Sequence, residues 1–337
     1  ALAGPGAATG GAPRELPQAG GAAPTSAFQA YANYVALPPS EAFRIEYWEL
    51  EEAKLRRQPP ERELSRRVVV VVGGASGIGR STALLAAERG AHVVVADRDA
   101  SQASAAAAEV RERAGAEGAL AVSVDVRDRA AIRAALGEVV SAFGGLDVLV
   151  NSAALFPVAG AGGLTDAQWT ATLDVNIAAN VRLAEEAGTI LQAQALDASL
   201  ILVSSANAVV PKHGSEAYDA SKAAVSHLVR ELAVALAPAV RVNGVSPATV
   251  VQGSAMFPRD RVIASLTKYG IAFEERQSDE ELRALLAGFY ARRTLTKGDV
   301  RPEDCARAIL FLAGPQARCT TGHLVPVDGG LVEAFLR

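Results

Sequence analysis

A tyrosine and a lysine spaced four residues apart, Tyr218 and Lys222, are the side chains in this sequence whose types best suit proton transfer. They begin a stretch near 216–237 that we predict to be helical, and side chains at positions i and i+4 share one face of a helix. A neighbouring ammonium group lowers the pKa of a phenol toward neutrality, as a general base acting on an alcohol requires. The pair therefore predicts acid–base chemistry on a hydroxyl group, with an ordinary surface pair on a helix as the alternative.

Two other polar residues fit the same chemistry. Ser205 follows an apolar run at 199–204 that we predict to be a strand, and a hydroxyl at a strand end can hold a reacting oxygen beside the tyrosine. Asn176 lies within a predicted helix at 167–193, although asparagine is a poor helix former. Asn176 is therefore a candidate site residue, and the alternative is a local helix irregularity in which its side chain bonds backbone carbonyls.

A glycine-rich turn joins a predicted strand at 68–72 to a predicted helix at 77–89. Gly73, Gly77 and Gly79 form the pattern G-x-x-x-G-x-G there. Glycine lets the backbone approach a pyrophosphate closely, and the N-terminus of a helix offers free N–H groups to phosphate oxygens. Because a strand precedes the turn and a helix follows it, the turn predicts a dinucleotide-binding site.

The residue at the end of the second predicted strand bears on which dinucleotide binds. Asp97 can accept hydrogen bonds from both ribose hydroxyls of an adenosine and would repel a 2′-phosphate. Ser76 in the glycine turn is not basic, and we expect Arg98 to be solvated rather than to attract that phosphate. These charges predict NAD rather than NADP, with a plain strand-end turn residue as the alternative for Asp97. The positive nicotinamide would add to the effect of Lys222 on the phenol.

Short β-branched runs alternate with alanine-rich stretches from residue 68 onward. The predicted strands lie near 68–72, 92–96, 119–124, 146–150, 199–204, 240–245 and 323–327, and the predicted helices near 77–89, 101–114, 128–142, 167–193 and 216–237. Apolar strands that alternate with helices are typical of a parallel sheet covered on both faces. With right-handed crossovers, this pattern predicts an α/β fold, a doubly wound Rossmann-type parallel sheet with helices on both faces plus an N-terminal extension.

The chain divides into three predicted stretches. Residues 1–25 contain 18 Ala, Gly or Pro and predict a flexible linker. Residues 26–67 form a connector segment with a predicted helix over 42–55, for which Ser40 is the candidate cap. Its aromatic residues would be costly to expose, so we expect this helix to dock on the main domain or on a partner chain. Residues 68–337 form the dinucleotide-binding domain, with a charged helical insert near 255–297 that is placed to act as a lid.

Composition narrows the possible functions. The 337 residues include 33 basic and 37 acidic side chains, for a net charge of −4, so neither a nucleic-acid partner nor an anionic membrane surface is expected. No apolar run is long enough to cross a membrane, and the N-terminus lacks the pattern of a signal peptide. Two cysteines and four scattered histidines predict no disulfide framework and no metal site. A reducing, cytoplasmic setting fits best.

The first residue is alanine and the only methionine is Met256. We therefore expect either a trimmed start or a piece of a longer chain.

Residues 68–330 resemble a short-chain dehydrogenase/reductase. Beyond the residues above, the matching motifs are Asp125-Val126, Asn151-Ser-Ala-Ala154, Arg241-Val-Asn243, Pro247 and Val327-Asp-Gly-Gly330. The resemblance implies that Tyr218 is the catalytic acid and base, that Lys222 lowers the pKa of Tyr218 and binds the nicotinamide ribose, and that Ser205 positions the substrate oxygen. It also implies that Asn176 anchors a water in a proton relay.

The same resemblance implies the cofactor contacts. Asp125 and Val126 would border the adenine, Asn151 would line the cofactor cleft, and Val250 would approach the carboxamide. The full predicted set of NAD contacts is Gly73, Ser76, Gly77, Ile78, Gly79, Asp97, Arg98, Asp125, Val126, Asn151, Ala153, Tyr218, Lys222, Pro247 and Val250.

Several positions depart from the family pattern. Val72 stands where the family usually has threonine, and Ala248 stands where it has glycine after Pro247. In the Asn-Asn-Ala-Gly motif, Ser152 replaces the second asparagine and Ala154 replaces the glycine. Each change removes a polar contact or adds a Cβ near the cofactor, which puts cofactor affinity in question.

A narrower resemblance concerns the connector. The segment 41–55, and also 292–304, is similar to bifunctional proteins that fuse a class II aldolase to a dehydrogenase of rhamnose-type sugar catabolism. This resemblance implies an aldolase partner domain that is absent here and the oxidation of L-lactaldehyde to L-lactate with NAD. No cysteine lies near the tyrosine in sequence to form a thiohemiacetal, so the aldehyde hydrate is the expected substrate.

Alternatives to that substrate remain. The same site could oxidise another sugar or polyol, or the domain could be a catalytically idle dinucleotide-binding scaffold. His213 and Arg293 are candidates for contacting a hydroxyl or a carboxylate product, with exposed surface residues as the alternative. The family usually pairs the helices near 167–193 and 216–237 across two-fold axes, so the resemblance implies a homodimer or homotetramer.

Overall fold

The computed structural model describes residues 37–46, 48–57, 60–115, 118–157, 159 and 163–335. Two units divide the chain, residues 1–60 and residues 61–337. The second unit is built on a seven-stranded, entirely parallel sheet with the strand order β3-β2-β1-β4-β5-β6-β7. Helices cover both faces, which confirms the predicted doubly wound fold.

Each strand lies where the apolar runs predicted it, to within two residues at either end. The strands are β1 Val68–Val72, β2 His92–Asp97, β3 Ala119–Ser123, β4 Val148–Asn151, β5 Ala198–Val203, β6 Val240–Pro247 and β7 Leu324–Val327. All five residues of β1 are buried, because a central parallel strand has helices over both of its faces. The strand order reverses between β1 and β4, because β2 and β3 lie on one side of β1 and β4 to β7 lie on the other side. The carboxyl ends of these two strands therefore open a crevice, which is where ligands bind in such folds.

The helices predicted between the strands are present, and a further helix, Pro302–Ala313, was not predicted. In the second unit they are α3 Gly77–Glu88, α4 Ala100–Ala114, α5 Arg129–Phe143, α6 Asp166–Leu173, α7 Ala179–Gln194, α8 Glu216–Leu236, α9 Arg259–Lys268, α10 Asp279–Arg292 and α11 Pro302–Ala313. Two apolar layers lie on opposite faces of the sheet, one holding α5, α7 and α8 and the other holding α3, α4 and α11.

The helix predicted over 167–193 is interrupted. Between α6 and α7 the chain forms a π-helical turn at Asp174–Ala178, which contains Asn176. Such a turn opens the helix by one residue, and π-helical turns are frequent at functional sites. The poor helix propensity of asparagine was the signal in the sequence for this irregularity.

The insert at 255–297 forms two helices, α9 and α10, with an apolar core of their own. Val262 and Leu266 of α9 pack with Leu282 and Leu286 of α10, and all four are fully buried. This core lets the insert hold its shape over the carboxyl end of β6. The predicted helical character is confirmed, and its role as a lid stays a prediction.

In the first unit the structure describes two short helices, α1 Pro39–Glu46 and α2 Glu49–Arg57. The prediction of one helix over 42–55 with Ser40 as its cap was wrong, because Ser40 lies inside α1. Proline suits the opening position of α1, since the N–H group that it lacks would have no partner within the helix. The predictions for residues 1–36 lie outside the described residues.

Candidate functional site

The glycine turn after β1 is held too tightly for side chains. A Cβ on Gly79 would lie 2.1 Å from the carbonyl oxygen of Gly73, and a Cβ on Gly73 would lie 2.7 Å from the backbone nitrogen of Ala153. Gly73 and Gly77 also have φ angles of +74° and +53°, a region that favours glycine. The turn therefore brings bare backbone to the start of α3.

The start of α3 is suited to a phosphate group. Ser76 precedes the helix in extended conformation, and its side chain makes no capping hydrogen bond to the first-turn N–H groups. These N–H groups and the helix dipole favour an anion. Ile78 packs against the core beside β1. The residues of the turn thus fit the pyrophosphate of a dinucleotide.

Asp97 lies at the carboxyl end of β2, beside the glycine turn. Its carboxylate accepts hydrogen bonds from the backbone N–H of Ala75 at 3.2 Å and from that of Asp99 at 3.2 Å. The carboxylate is half-buried, while the neighbouring Arg98 is exposed. A fixed negative charge at this position fits ribose hydroxyls better than a 2′-phosphate.

The next strand ends bring two more predicted residues to the same edge of the sheet. Asp125 follows β3 and pairs with Arg127, whose guanidinium lowers the pKa of that carboxyl to about 2. Val126 is buried beside it. Both therefore lie at the carboxyl side of the sheet, where the adenine was expected.

Asn151, at the end of β4, has a side chain that is hydrogen-bonded within the protein, and its place beside the cofactor stays a prediction. Its side chain donates to Asn180 at 2.8 Å and accepts from the backbone N–H of Ala153 at 3.1 Å. Ser152, one of the departures from the family pattern, donates to the carbonyls of Val72 at 2.9 Å and Gly73 at 3.2 Å. These bonds fasten the β4 end to the glycine turn, so the cleft wall here is built by the backbone.

Tyr218, Lys222 and Ser205 meet at the carboxyl ends of β5 and β6. Tyr218 lies in the first turn of α8 and forms a side-chain hydrogen bond with Ser205. The Nζ of Lys222 lies 5.5 Å from the centre of the Tyr218 ring and donates to the carbonyl of Val203 at 2.8 Å. All three side chains are buried. The structure thus brings together the pair and the serine that the sequence proposed.

The protein groups alone raise the pKa of Tyr218. Burial raises the pKa of the Tyr218 phenol to about 12, and the hydrogen bond from Ser205 opposes this effect. Burial also lowers the pKa of the Lys222 ammonium to about 8. The prediction that Lys222 and the nicotinamide together lower the pKa of the phenol stays a prediction, since desolvation is the largest effect among the protein groups.

Asn176 is fully buried in its π-helical turn. Its side-chain oxygen accepts from the N–H of Leu155 at 2.7 Å, and its amide donates to the carbonyl of Leu155 at 2.9 Å and to Ser221 at 2.9 Å. Ser221 in turn donates to the carbonyl of Tyr218. Asn176 therefore ties the loop after β4 to the helix that carries the tyrosine.

A stack over the tyrosine escaped the sequence analysis. The ring of Phe156 lies 4.3 Å from that of Tyr218, and the guanidinium of Arg261 lies 3.8 Å from the ring of Phe156. Arg261 belongs to α9 of the insert and donates to the carbonyl of Phe156 at 2.9 Å. Since Phe156 and Arg261 are distant in sequence, no local pattern indicated the stack.

The two residues that the sequence offered as substrate contacts lie in different environments. The His213 side chain is 98% exposed, so the structure places it on the surface. Arg293 lines an open pocket, together with Asn207, Ala248 and Thr249. This pocket begins next to Ser205 and passes the end of β6, where Pro247 and Val250 are buried. Sequence reasoning missed Lys212 and Tyr290, which also line it.

The described part of the chain contains no group of three or more His, Cys, Asp or Glu side chains that could hold a metal ion. Within the same residues, no helix is both long and apolar enough to cross a membrane.

Family models match most of the chain. Residues 67–260 match the short chain dehydrogenase model, and residues 272–332 match a model described as enoyl-(acyl carrier protein) reductase. Members of the short chain dehydrogenase family normally bind NAD or NADP. Residues 22–55 match the second domain of class II aldolases. This match agrees with the resemblance of the connector to aldolase–dehydrogenase fusions.

Individual proteins show the same similarity. The chain is 34% identical over 309 residues to the uncharacterized oxidoreductase YuxG of Bacillus subtilis, covering 91% of this chain but only 43% of that protein. It is 30% identical to the L-rhamnose 1-dehydrogenase (NAD(P)(+)) of Azotobacter vinelandii, covering 79% of this chain and 96% of that one. The crystal structure of sorbitol-6-phosphate 2-dehydrogenase SrlD from Erwinia amylovora matches with a TM-score of 0.70 and 25% identity, covering 80% of this chain and all of that one.

Proposed function

Since the chain belongs to the short-chain dehydrogenase family, we propose that it oxidises a carbinol carbon of a small hydroxylated substrate with NAD. The observation that carries this proposal is the buried cluster of Tyr218, Ser205 and Lys222 at the carboxyl edge of the sheet. The glycine turn at the start of α3 lies at the same edge and supplies the phosphate site.

The residues of the cluster divide the chemical work. Ser205 donates a hydrogen bond to the substrate oxygen, and the phenolate of Tyr218 removes the proton from that oxygen as the carbon loses its hydride. Bound NAD would accept the hydride and supply a positively charged ring at the site. Because burial raises the pKa of Tyr218 to about 12, the phenolate needs cationic help, and Lys222 contributes part of it. Asn176 holds the loop and helix that position the tyrosine, and its predicted role as a water anchor remains part of this proposal.

Cofactor choice follows from one charge. Asp97 presents a carboxylate next to the glycine turn, so a ribose with two free hydroxyls is favoured over one with a 2′-phosphate. We therefore propose NAD as the cofactor, held by the contacts set out from the sequence.

L-lactaldehyde is the first candidate substrate. The match of residues 22–55 to a class II aldolase supports it, since an aldolase of that kind would deliver such an aldehyde. The aldehyde hydrate carries two hydroxyls and one hydrogen on the reacting carbon. Tyr218 takes the proton from one hydroxyl, the carbon would give its hydride to bound NAD, and the C–O bond of the deprotonated oxygen becomes the carbonyl of lactic acid. The products are NADH, L-lactate and two protons, one taken up by Tyr218 and one released when the carboxylic acid ionises.

A sugar or polyol is the second candidate. It is favoured by the similarity to an L-rhamnose 1-dehydrogenase and a sorbitol-6-phosphate 2-dehydrogenase. An idle binding scaffold is disfavoured, because the side chains of Tyr218, Ser205 and Lys222 lie next to one another.

NADH formation at 340 nm tests the proposal directly. The panel contains L-lactaldehyde, D-lactaldehyde, glycolaldehyde and several polyols, each with NAD and with NADP. Turnover of L-lactaldehyde with NAD supports the first candidate, and turnover of polyols only supports the second. No turnover of any member, in protein that binds NADH, favours the idle scaffold.

The remaining parts of the proposal concern setting and assembly. We propose a cytoplasmic homodimer or homotetramer in which helices α7 and α8 pair across two-fold axes. An aldolase domain would be the fusion partner, and the insert 255–297 would be the lid. Light scattering tests the assembly, and a monomeric mass would remove that part.

A further inference from the structure

The open pocket beside the cluster carries an unusual buried cation. Lys212 lies after β5 in the loop that leads to α8, and its Nζ donates to the hydroxyl of Thr249 at 3.2 Å. The same ammonium lies 5.3 Å from the centre of the Tyr290 ring, in the wall of the pocket. Among the described residues, no carboxylate forms an ion pair with it within 4.0 Å. A positive charge held away from water is costly unless an anion accompanies it.

The backbone around Lys212 is fixed by one carboxylate. Asp219 of α8 accepts from the backbone N–H of Lys212 at 2.8 Å, from the amide of Asn207 at 2.6 Å and from the hydroxyl of Ser215. Its oxygens are thus occupied with holding the loop. The lysine is thereby pre-positioned, and Asp219 acts on its ammonium from beyond 4.0 Å, so that the two form no ion pair.

The charges facing Lys212 are mainly positive. Arg293, Lys268 and Arg261 each disfavour its protonation, Asp219 favours it, and burial is the largest effect, so the pKa of Lys212 falls to about 8. Lys212 nevertheless stays roughly nine-tenths protonated at pH 7. The region therefore keeps an excess of positive charge.

The other acids at the pocket already have partners. Arg293 shares its charge with Glu333 at 3.2 Å, on the exposed side of the pocket. Asp299 lines the pocket but pairs with Arg301 at 3.1 Å. Lys212 is left as the ammonium whose charge is unmatched, and Arg293 stands on the same wall.

The position of the pocket indicates which part of a bound molecule an anionic group there would form. Asn207 follows Ser205 closely in the chain, and Thr249 lies between Pro247 and Val250. A small molecule whose reacting oxygen meets Ser205 and Tyr218 would extend its far end into this space.

We propose that Lys212 and Arg293 bind an anionic group, a phosphate or a carboxylate, at the end of the substrate remote from the reacting carbon. This inference rests on the proposed dehydrogenase function and refines its second candidate substrate, a sugar or polyol, to a phosphorylated polyol or a sugar acid. Thr249 and Tyr290 orient the ammonium through the contacts described above. Under this assignment uncharged L-lactaldehyde leaves the subsite empty and is the poorer substrate.

Calorimetric titration tests the subsite apart from turnover. The protein, with and without saturating NADH, is titrated with D-glucitol, D-glucitol 6-phosphate and D-gluconate. We expect at least one of the two anions to bind about 10- to 100-fold more tightly than D-glucitol, as charge-assisted hydrogen bonds provide. The anion with the larger preference identifies the phosphate or the carboxylate as the group recognised. If neither anion binds more tightly than D-glucitol, the proposal is wrong.

Variants assign the effect to the two cations. Lys212→Met and Arg293→Gln are each expected to remove most of the anion preference and to raise KM for the anionic substrate more than they change kcat. Arg307→Gln removes the same charge from an exposed side chain of α11 and should keep the preference. A preference that survives both pocket variants would overturn the assignment. Should Lys212→Met fail to fold, Arg293→Gln still decides. The titrations without NADH report on the pocket alone. Failure of the protein to bind NADH would therefore count against the dehydrogenase function and not against the anion subsite.

Discussion

The substitution Gly79→Ala tests how closely the cofactor turn is packed. An alanine Cβ at this position would lie 2.1 Å from the Gly73 carbonyl oxygen and 2.5 Å from the Ser152 hydroxyl oxygen. Neither neighbour can yield cheaply, since the first is backbone and the second donates to the carbonyls of Val72 and Gly73.

The magnitude follows from these contacts. Forcing a methyl group into a packed site costs about 1–3 kcal/mol, and loosening the serine hydrogen bonds adds about 1 kcal/mol. We expect the free energy of unfolding to fall by roughly 2–4 kcal/mol and the affinity for NAD to fall at least tenfold, because the turn must shift away from the start of α3.

A matched control separates crowding from the substitution itself. Gly137→Ala lies inside helix α5, where a Cβ meets nothing within 4 Å. There alanine should raise the free energy of unfolding by up to about 1 kcal/mol and leave NAD binding unchanged. Urea denaturation and calorimetric titration with NAD measure both quantities. The reasoning would be refuted if Gly79→Ala matched the control in stability and in NAD affinity.

Three further outcomes are expected. Asp97→Asn should raise the ratio of kcat/KM for NADP to that for NAD about tenfold, since it removes the charge that repels a 2′-phosphate; an unchanged ratio would contradict the assignment of Asp97. Arg241→Met should lower the free energy of unfolding in urea by about 2–4 kcal/mol, because the buried guanidinium donates to four carbonyls at the end of α11; a loss below about 0.5 kcal/mol would contradict this. The phenolate absorbance of Tyr218, which is the part of the signal that Tyr218→Phe removes, should appear only near pH 12 without NAD, because burial raises this pKa. With saturating NAD it should appear at lower pH. An equal titration in both states would contradict the proposed role of the cofactor charge.

Local sequence patterns predicted the sheet and much of the site. The run Val68–Val72 is apolar throughout because a central strand is covered on both faces. The glycine spacing after it is typical of a dinucleotide-binding turn. Tyr218 and Lys222 come together because one helix carries both. In each case the residues that determine the feature are close together in the sequence, so their spacing was sufficient to predict it.

Other features depend on contacts that no spacing shows. Arg261 reaches Phe156 from a distant helix, and Lys212 becomes part of a pocket only when α10 brings Tyr290 beside it. The effect of burial on the pKa of Tyr218 was not predicted, because the degree of burial is a property of the packed protein. The pattern named the reacting groups, and the packing determined their electrostatics.

The central claim is that Tyr218 exchanges the proton of the substrate hydroxyl. The most direct measurement is the rate of NADH formation by Tyr218→Phe on the best substrate of the panel, together with its NAD affinity. Tyr269→Phe, which removes another partly buried phenol oxygen, is the matched control. We predict a loss of at least a thousandfold in kcat for Tyr218→Phe with NAD affinity within about threefold of the parent, and near-parental turnover for the control. Retention of substantial turnover by Tyr218→Phe would contradict the account.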